Sequence, residues 1–236
     1  ATLTALIDSK GIRNFCRFDV SDEPSLEQYE VYKKRADLIA EIFPGFKVID
    51  ALSDIEFFDK GAVKYPIPSE DHVEDFVGKV DEFWTYYCCG QHNKNVPNRF
   101  FAMPSARNRI LGTLLYKYNA AGFLQWGYNY WYSQFSKHEI DPFTVTDAGK
   151  AFPSGDAFVV YPGEDGQPIN SLRFKVFYDG LQDLAAMRRL ESRGGREKAL
   201  EIAIQDDELT FQKYPHGSSY LLALRERVNK AIKENI

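Results

Sequence analysis

Five short runs dense in aliphatic and aromatic residues, each leading into a polar turn, constrain this chain more than any other feature. They fall at residues 14–20, 46–52, 82–88, 122–126 and 157–161 and read as strands. Between them apolar residues recur at helical spacing. Leu26, Tyr29, Tyr32, Ala36, Ile39 and Phe43 form one stripe, entered through a Ser25/Gln28 capping box and stopped at Pro44-Gly45. A second stripe, Ile110, Leu111, Leu114, Leu115 and Tyr118, predicts a helix over 105–120. Residues 2–10 read as the end of a helix stopped at Gly11, 70–79 as a short helix in a long irregular stretch, and 170–191, 195–208 and 217–234 as closing helices. Strands alternating with helices imply parallel βαβ units.

The loops that follow the strands are long and rich in polar and aromatic residues, whereas those that precede them are short. In a β/α barrel the C-terminal strand ends carry the site, so the asymmetry predicts an α/β fold of the (β/α)8 TIM type. Five strands do not close such a barrel. The expectation is therefore that residues 1–236 form a single catalytic-domain portion: the C-terminal part of a barrel plus closing helices, with about three upstream units missing.

Composition narrows the partners. A net charge of −5 with no basic stripe argues against nucleic acid. No apolar run approaches the roughly 20 residues of a membrane span, and the N-terminus shows no basic-then-apolar leader, which leaves the compartment open. The three cysteines, Cys16, Cys88 and Cys89, do not suit a disulfide framework. Cys88, Cys89 and His92 lack the spacing of a zinc site, and Asp206-Asp207-Glu208 reads as a solvated helix end, so no metal and no organic cofactor is expected. Phe, Tyr and Trp reach 15% of the chain, which suits either a packed aromatic core or a cleft whose flat rings receive sugar faces.

Asp22 and Glu23 follow the first strand and precede a capped helix, the position of a barrel catalyst. Glycosidic cleavage needs a proton donor and a second group that supports the cationic sugar carbon. Two adjacent carboxylates cannot easily flank a sugar. They suit a reaction in which the substrate's own 2-acetamido oxygen attacks, one carboxylate orienting the acetamido N–H and the other acting as acid, then base. Acidic residues at a helix entry are equally an ordinary response to the helix dipole.

Six segments in order carry a resemblance: Phe18-Asp19-Val20-Ser21-Asp22-Glu23-Pro24, Trp84-Thr85-Tyr86-Tyr87-Cys88-Cys89-Gly90, Pro97-Asn98-Arg99-Phe100, Gly122-Phe123-Leu124-Gln125-Trp126-Gly127-Tyr128-Asn129-Tyr130-Trp131, Gly155-Asp156-Ala157-Phe158-Val159-Val160-Tyr161-Pro162-Gly163, and Ser171-Leu172-Arg173-Phe174 leading to Tyr178-Asp179-Gly180-Leu181-Gln182-Asp183. Over about residues 10–190 the chain resembles the catalytic domain of glycoside hydrolase family 123 and its relatives of unassigned function. The resemblance implies a β-N-acetylgalactosaminidase-like hydrolase working by substrate assistance, with Asp22 orienting the acetamido group and Glu23 as acid/base. It also implies an upstream β-sandwich domain.

The remaining candidates are binding groups. Trp126, Tyr128 and Trp131 could stack on sugar or pack beneath loops, and Asn129 could bind a hydroxyl or the acetamido carbonyl. Tyr86 and Tyr87 point to opposite faces of one strand, so at most one faces the site. Asp50 could bind a hydroxyl or satisfy a loop backbone, and Asp156 could bind sugar or make a turn. Asn98 and Arg99 read as structural, and the four histidines as solvated or capping. The expected partner is a carbohydrate substrate, an oligosaccharide or glycan, together with any missing N-terminal part of the same protein. Two alternatives stand: a glycosidase of other sugar specificity using Asp50 or Asp156 as second carboxylate, and a non-catalytic carbohydrate-binding barrel.

Overall fold

The computed structural model describes residues 2–205 and 208–234, so Asp206 and Asp207 of the acidic cluster lie outside the described residues. The chain divides into two compact units, Ala1–Tyr86 and Tyr87–Ile236.

The first unit is a parallel sheet with helical connections. Helix α1 (Leu3–Ser9) is capped by Thr2, whose Oγ1 accepts from the Ala5 amide. Strand β1 (Arg17–Asp19) pairs in parallel with β2 (Lys47–Ala51) in the register Arg17↔Lys47, Phe18↔Val48, Asp19↔Ile49. Between them runs α2 (Tyr29–Ile42), entered through the Ser25/Gln28 capping box that the sequence predicts. Its stripe buries Tyr32 and Ala36 against Leu52, Phe57, Ala62 and Val63, while Phe18 stacks on Phe43 at 4.1 Å between ring centroids. After α3 (Glu56–Asp59), β3 (Tyr65–Ile67) adds to the other edge of β2, and β4 (Trp84–Tyr87) follows through a parallel bridge from Ser69 to Tyr86.

Strand β3 is absent from the sequence reading for a physical reason. It is three residues long with a proline at its centre, so it shows neither a period-2 pattern nor a strand-like composition.

The second unit is mainly helical. The helix predicted over 105–120 is two segments, α4 (Ala106–Arg109) and α5 (Leu111–Lys117), which pack on α6 (Leu172–Gly194). Helices α7 (Arg196–Ala203) and α8 (Ser218–Lys233) complete the bundle. A Cβ at Gly112 would lie 1.8 Å from the Gly180 carbonyl oxygen, so α5 and α6 cross backbone to backbone. The buried Asp183 on α6 ties the bundle together, receiving Arg109 Nε at 2.7 Å from α4 and Arg225 Nη1 at 2.9 Å from α8.

Strand β5 (Gly122–Gln125) matches its prediction. The fifth predicted strand does not behave as a barrel strand. Residues 160–162 form β6 (Val160–Pro162), which pairs antiparallel with β7 (Pro168–Asn170) as a hairpin. A parallel partner needs a long crossover, whereas the short loop of residues 163–167 folds the chain straight back. The architecture is mixed α/β, and no closed barrel is found among the described residues.

Candidate functional site

In the first unit, the loop after β1 carries Asp22 and Glu23, both exposed. Glu23 has φ of +47°, a left-handed conformation that is uncommon for a non-glycine residue, and the proline that follows disfavours the ordinary helical alternative. Such a residue costs on the order of 1 kcal/mol or more and persists only where its surroundings hold it.

Four hydrogen bonds hold the loop here. The Glu23 amide donates to the Ala51 carbonyl at 3.0 Å. Asp50 Oδ2 accepts from the Val20 and Ser21 amides at 3.3 and 3.0 Å, immediately before Asp22. The hydroxyl of Tyr86, on β4, donates to Glu23 Oε1. The C-terminal end of β2 thus grips the loop by its backbone, and β4 grips the carboxylate.

Of the two possible roles for Asp50, the geometry displays the backbone one. Its side chain is 0% exposed and faces the buried Tyr32 hydroxyl. Burial pushes the Asp50 carboxyl up to about 6, with Asp19 adding a like charge and the Ser21 and Val20 amides pulling the other way.

In the second unit, the chain leaving β5 turns at Gly127, where φ is +64° and a Cβ would lie 2.7 Å from the Asp156 carbonyl oxygen. Trp126 is half-buried with its ring edge-on to Phe152 at 5.4 Å, and its indole N–H donates to Asp156 Oδ1 at 3.4 Å. Tyr128 and Asn129 are exposed, and the half-buried Trp131 donates its indole N–H to the Val160 carbonyl at 3.0 Å.

Asp156 is fully buried beside Arg99, whose Nη2 donates to the carbonyls of Trp126 at 2.9 Å and Asp156 at 2.5 Å. Burial raises the Asp156 carboxyl above its usual range against the pull of Arg99. Asp156 therefore holds Trp126 in place and offers no free surface to a sugar. Arg99 and Asn98 are buried and structural, as the sequence predicts: Asn98 Oδ1 accepts from the Arg99 amide at 2.8 Å.

The structure separates the two tyrosines of β4. Tyr86 faces Glu23, whereas Tyr87 lies under the Arg99 guanidinium at 4.7 Å and donates to Gln125 Oε1. Each unit assembles its own candidates: Asp22, Glu23, Asp50 and Tyr86 in the first, and Trp126, Tyr128, Asn129, Trp131 and Asp156 in the second.

Two groups escape the sequence reading. Tyr32 looks like any stripe residue, yet its hydroxyl lies beside Asp50. Arg173, in the first turn of α6, donates to the carbonyls of Arg99, Gly155 and Phe158 at 3.2, 2.6 and 2.7 Å. The available signal was an arginine set between Leu172 and Phe174 at a helix start.

Two histidines have serine partners close in sequence. His72 Nδ1 lies 3.0 Å from Ser69 Oγ, and His138 Nδ1 lies 3.3 Å from Ser133 Oγ. The pairs are three and five residues apart in sequence, and Ser69 is only 2% exposed, which is local capping geometry. Among the described residues no group of three or more His, Cys, Asp and Glu side chains is placed to share a metal ion, and no helix is long and apolar enough to cross a membrane.

Comparison with known proteins adds two findings. The family model described as glycoside hydrolase 123, catalytic domain, matches residues 1–190. Among solved structures, a family 123 glycoside hydrolase from Clostridium perfringens, described in a study of glycolipid glycan hydrolysis, is similar with a TM-score of 0.67 at 17% identity. The match covers 98% of this chain and 43% of that one, so the chain spans less than half of that relative's length. No curated protein is significantly similar.

Proposed function

Because this chain belongs to the glycoside hydrolase 123 family, we propose that it is a glycoside hydrolase that releases β-linked N-acetylhexosamine, N-acetylgalactosamine in the first instance, by substrate-assisted retaining catalysis. The observation that carries this is the strained Glu23, its amide bonded to Ala51, its carboxylate in the grip of Tyr86 and adjacent to an exposed Asp22. Strain at an exposed carboxylate pair that the fold restrains from both backbone and side chain is the pattern of a functional loop.

The reaction runs in two steps. The acetamido carbonyl oxygen of the substrate attacks the anomeric carbon as the bond to the leaving oxygen breaks, and Glu23 gives its proton to that oxygen. Asp22 accepts the acetamido N–H and balances the positive charge of the bicyclic oxazolinium. Glu23, now a carboxylate, takes a proton from water as the water oxygen bonds to the anomeric carbon, and the ring opens with retained configuration. Tyr86, donating to Glu23 Oε1, fixes which carboxylate oxygen is left to meet the leaving group. Asp50 acts on the loop and not on the substrate. The parallel sheet β1–β3 with bridged β4 reads as a segment of a β/α barrel, whose C-terminal strand ends carry these groups. The C. perfringens relative also suggests a glycolipid glycan as the class of substrate.

The test is release of 4-nitrophenol from the β-N-acetylgalactosaminide, its gluco epimer and the plain galactoside. Turnover confined to acetamido substrates and lost in both Glu23→Gln and Asp22→Asn is the expected result. Equal turnover of the plain galactoside would refute substrate assistance.

A further inference from the structure

The second unit holds a groove of about 290 Å3 between the chain after β5 and the β6–β7 hairpin. On one side stand Tyr128, Asn129 and Trp131, and on the other Pro162, Gln167 and Pro168. The space is near the lower end for a small-ligand site and large enough for one sugar ring.

Its walls are fixed in place. Trp131 is anchored on the Val160 carbonyl, the Tyr128 ring meets the edge of Phe174 at 5.9 Å, and the Tyr128 carbonyl accepts from the Val159 amide at 2.9 Å. The hairpin turn is locked by its own bonds: Gly163 N to Gln167 O at 2.9 Å, Gly166 N to Gly163 O at 3.0 Å and Gln167 N to Asp165 Oδ1 at 3.0 Å. A Cβ at Gly163 would lie 2.3 Å from the Gln167 carbonyl oxygen, so the turn tolerates nothing larger there.

The chemistry of the lining selects a ligand class. None of its nine residues carries a charge. Aromatic and proline faces present flat apolar surface. Among the described residues the Tyr128 hydroxyl and the carboxamides of Asn129 and Gln167 find no hydrogen-bond partner, and all three residues are exposed. Carboxamides carry both donors and acceptors, which suits hydroxyl groups. The acidic Glu164 and Asp165 in the adjoining turn disfavour an anion. Flat apolar faces, paired carboxamides and no charge together describe the surface of a neutral pyranose.

We propose that this groove of the second unit is a saccharide-binding site, taking a neutral sugar unit of a glycan through stacking on Tyr128 and hydrogen bonds to Asn129 and Gln167. It rests on the carbohydrate reading above and extends it to the β6–β7 hairpin, which no catalytic role requires. An aromatic and proline-lined groove also suits an extended proline-rich peptide. The compact, ring-sized space and the unpaired carboxamides favour the sugar.

The experiment uses the full chain as Glu23→Gln, so that binding is read without cleavage. Nitrogen–proton spectra follow the Trp131 indole and the Asn129 and Gln167 carboxamides during titration with a neutral tetrasaccharide bearing a terminal β-N-acetylgalactosamine, with 3′-sialyllactose, and with decaproline. Saturable shifts of these three signals by the tetrasaccharide are expected, with at least tenfold weaker binding of 3′-sialyllactose. The apparent affinity at the Trp131 signal should fall at least fivefold in Gln167→Ala and in Asn129→Ala. Absence of saturable shifts there, equal binding of the sialylated sugar, shifts by decaproline alone, or unaltered affinity in both variants would each overturn the proposal. Nitrophenol release by the wild type is scored separately. Lost hydrolysis with intact groove shifts removes the catalytic reading alone, and intact hydrolysis with silent groove signals removes the groove alone.

Discussion

Replacing Asp50 by asparagine separates what this carboxylate does for stability from what it does for the loop. The side chain is completely buried and its carboxyl sits at about 6, from 3.8 in an unconstrained chain. At about 1.36 kcal/mol per pH unit, holding Asp50 ionised in the fold at pH 7 costs on the order of 3 kcal/mol. Between pH 4 and 6 the folded state binds more protons at this site than the unfolded chain, so the contribution of Asp50 to stability falls as pH rises through that window and is level above it. Asparagine is never charged and still offers a carbonyl oxygen to the Val20 and Ser21 amides. Asp50→Asn should therefore match the wild type near pH 4 and exceed it by about 3 kcal/mol at pH 7. For a chain of this size each kcal/mol moves the melting temperature by about 2–4 °C, so the gap at pH 7 should approach 10 °C. Asp50→Ala gains the same relief but leaves two part-buried amides without their acceptor, at up to about 1–3 kcal/mol each, which offsets the gain. Its larger effect should be on turnover, where loosening the loop by about 1 Å costs about 100-fold. Thermal unfolding by circular dichroism from pH 4 to 8, with nitrophenol release alongside, reads both quantities. A stability difference between Asp50→Asn and wild type that is constant across this range would refute the buried-charge account.

Tyr86→Phe removes the hydroxyl on Glu23 while keeping the ring buried, and kcat should fall about tenfold, or about 1.4 kcal/mol, at unchanged KM; an unaltered kcat would remove Tyr86 from the mechanism. Gly112→Ala must push α5 from α6, because its Cβ would lie 1.8 Å from the Gly180 oxygen, and should cost about 3 kcal/mol in urea unfolding. The control Gly90→Ala, whose Cβ meets only Cys88 Sγ at 3.6 Å, should cost under about 1 kcal/mol. Asp183→Ala leaves Arg109 and Arg225 without their shared carboxylate and should lower stability by about 3 kcal/mol, visible as a lower urea midpoint; a shift under about 0.5 kcal/mol would show that solvent replaces the pairing.

The sequence by itself determined what local pattern encodes. Residues 170–191 were legible as a helix, observed as Leu172–Gly194, because a 3.6-residue stripe repeats many times over that length. The Ser25/Gln28 cap, the Gly11 stop and the placement of Asp22 and Glu23 at a strand exit were legible for the same reason, as was the family, whose motifs are contiguous in the chain. Strands β3 and β7 were not, since three residues contain too little alternation to register and both include proline.

Tertiary structure alone decided the fate of the charges. Asp22, Asp50 and Asp156 all stand in strand or turn contexts, yet one is exposed and two are buried. Whether a carboxylate meets water, two amides or a guanidinium depends on partners 29 to 57 residues away in the sequence, as Ser21 is from Asp50 and Arg99 from Asp156. Likewise Tyr86 and Tyr87 alternate by necessity, but which of them faces Glu23 depends on the pairing of β4 beside Ser69, a register fixed by backbone hydrogen bonds between distant segments.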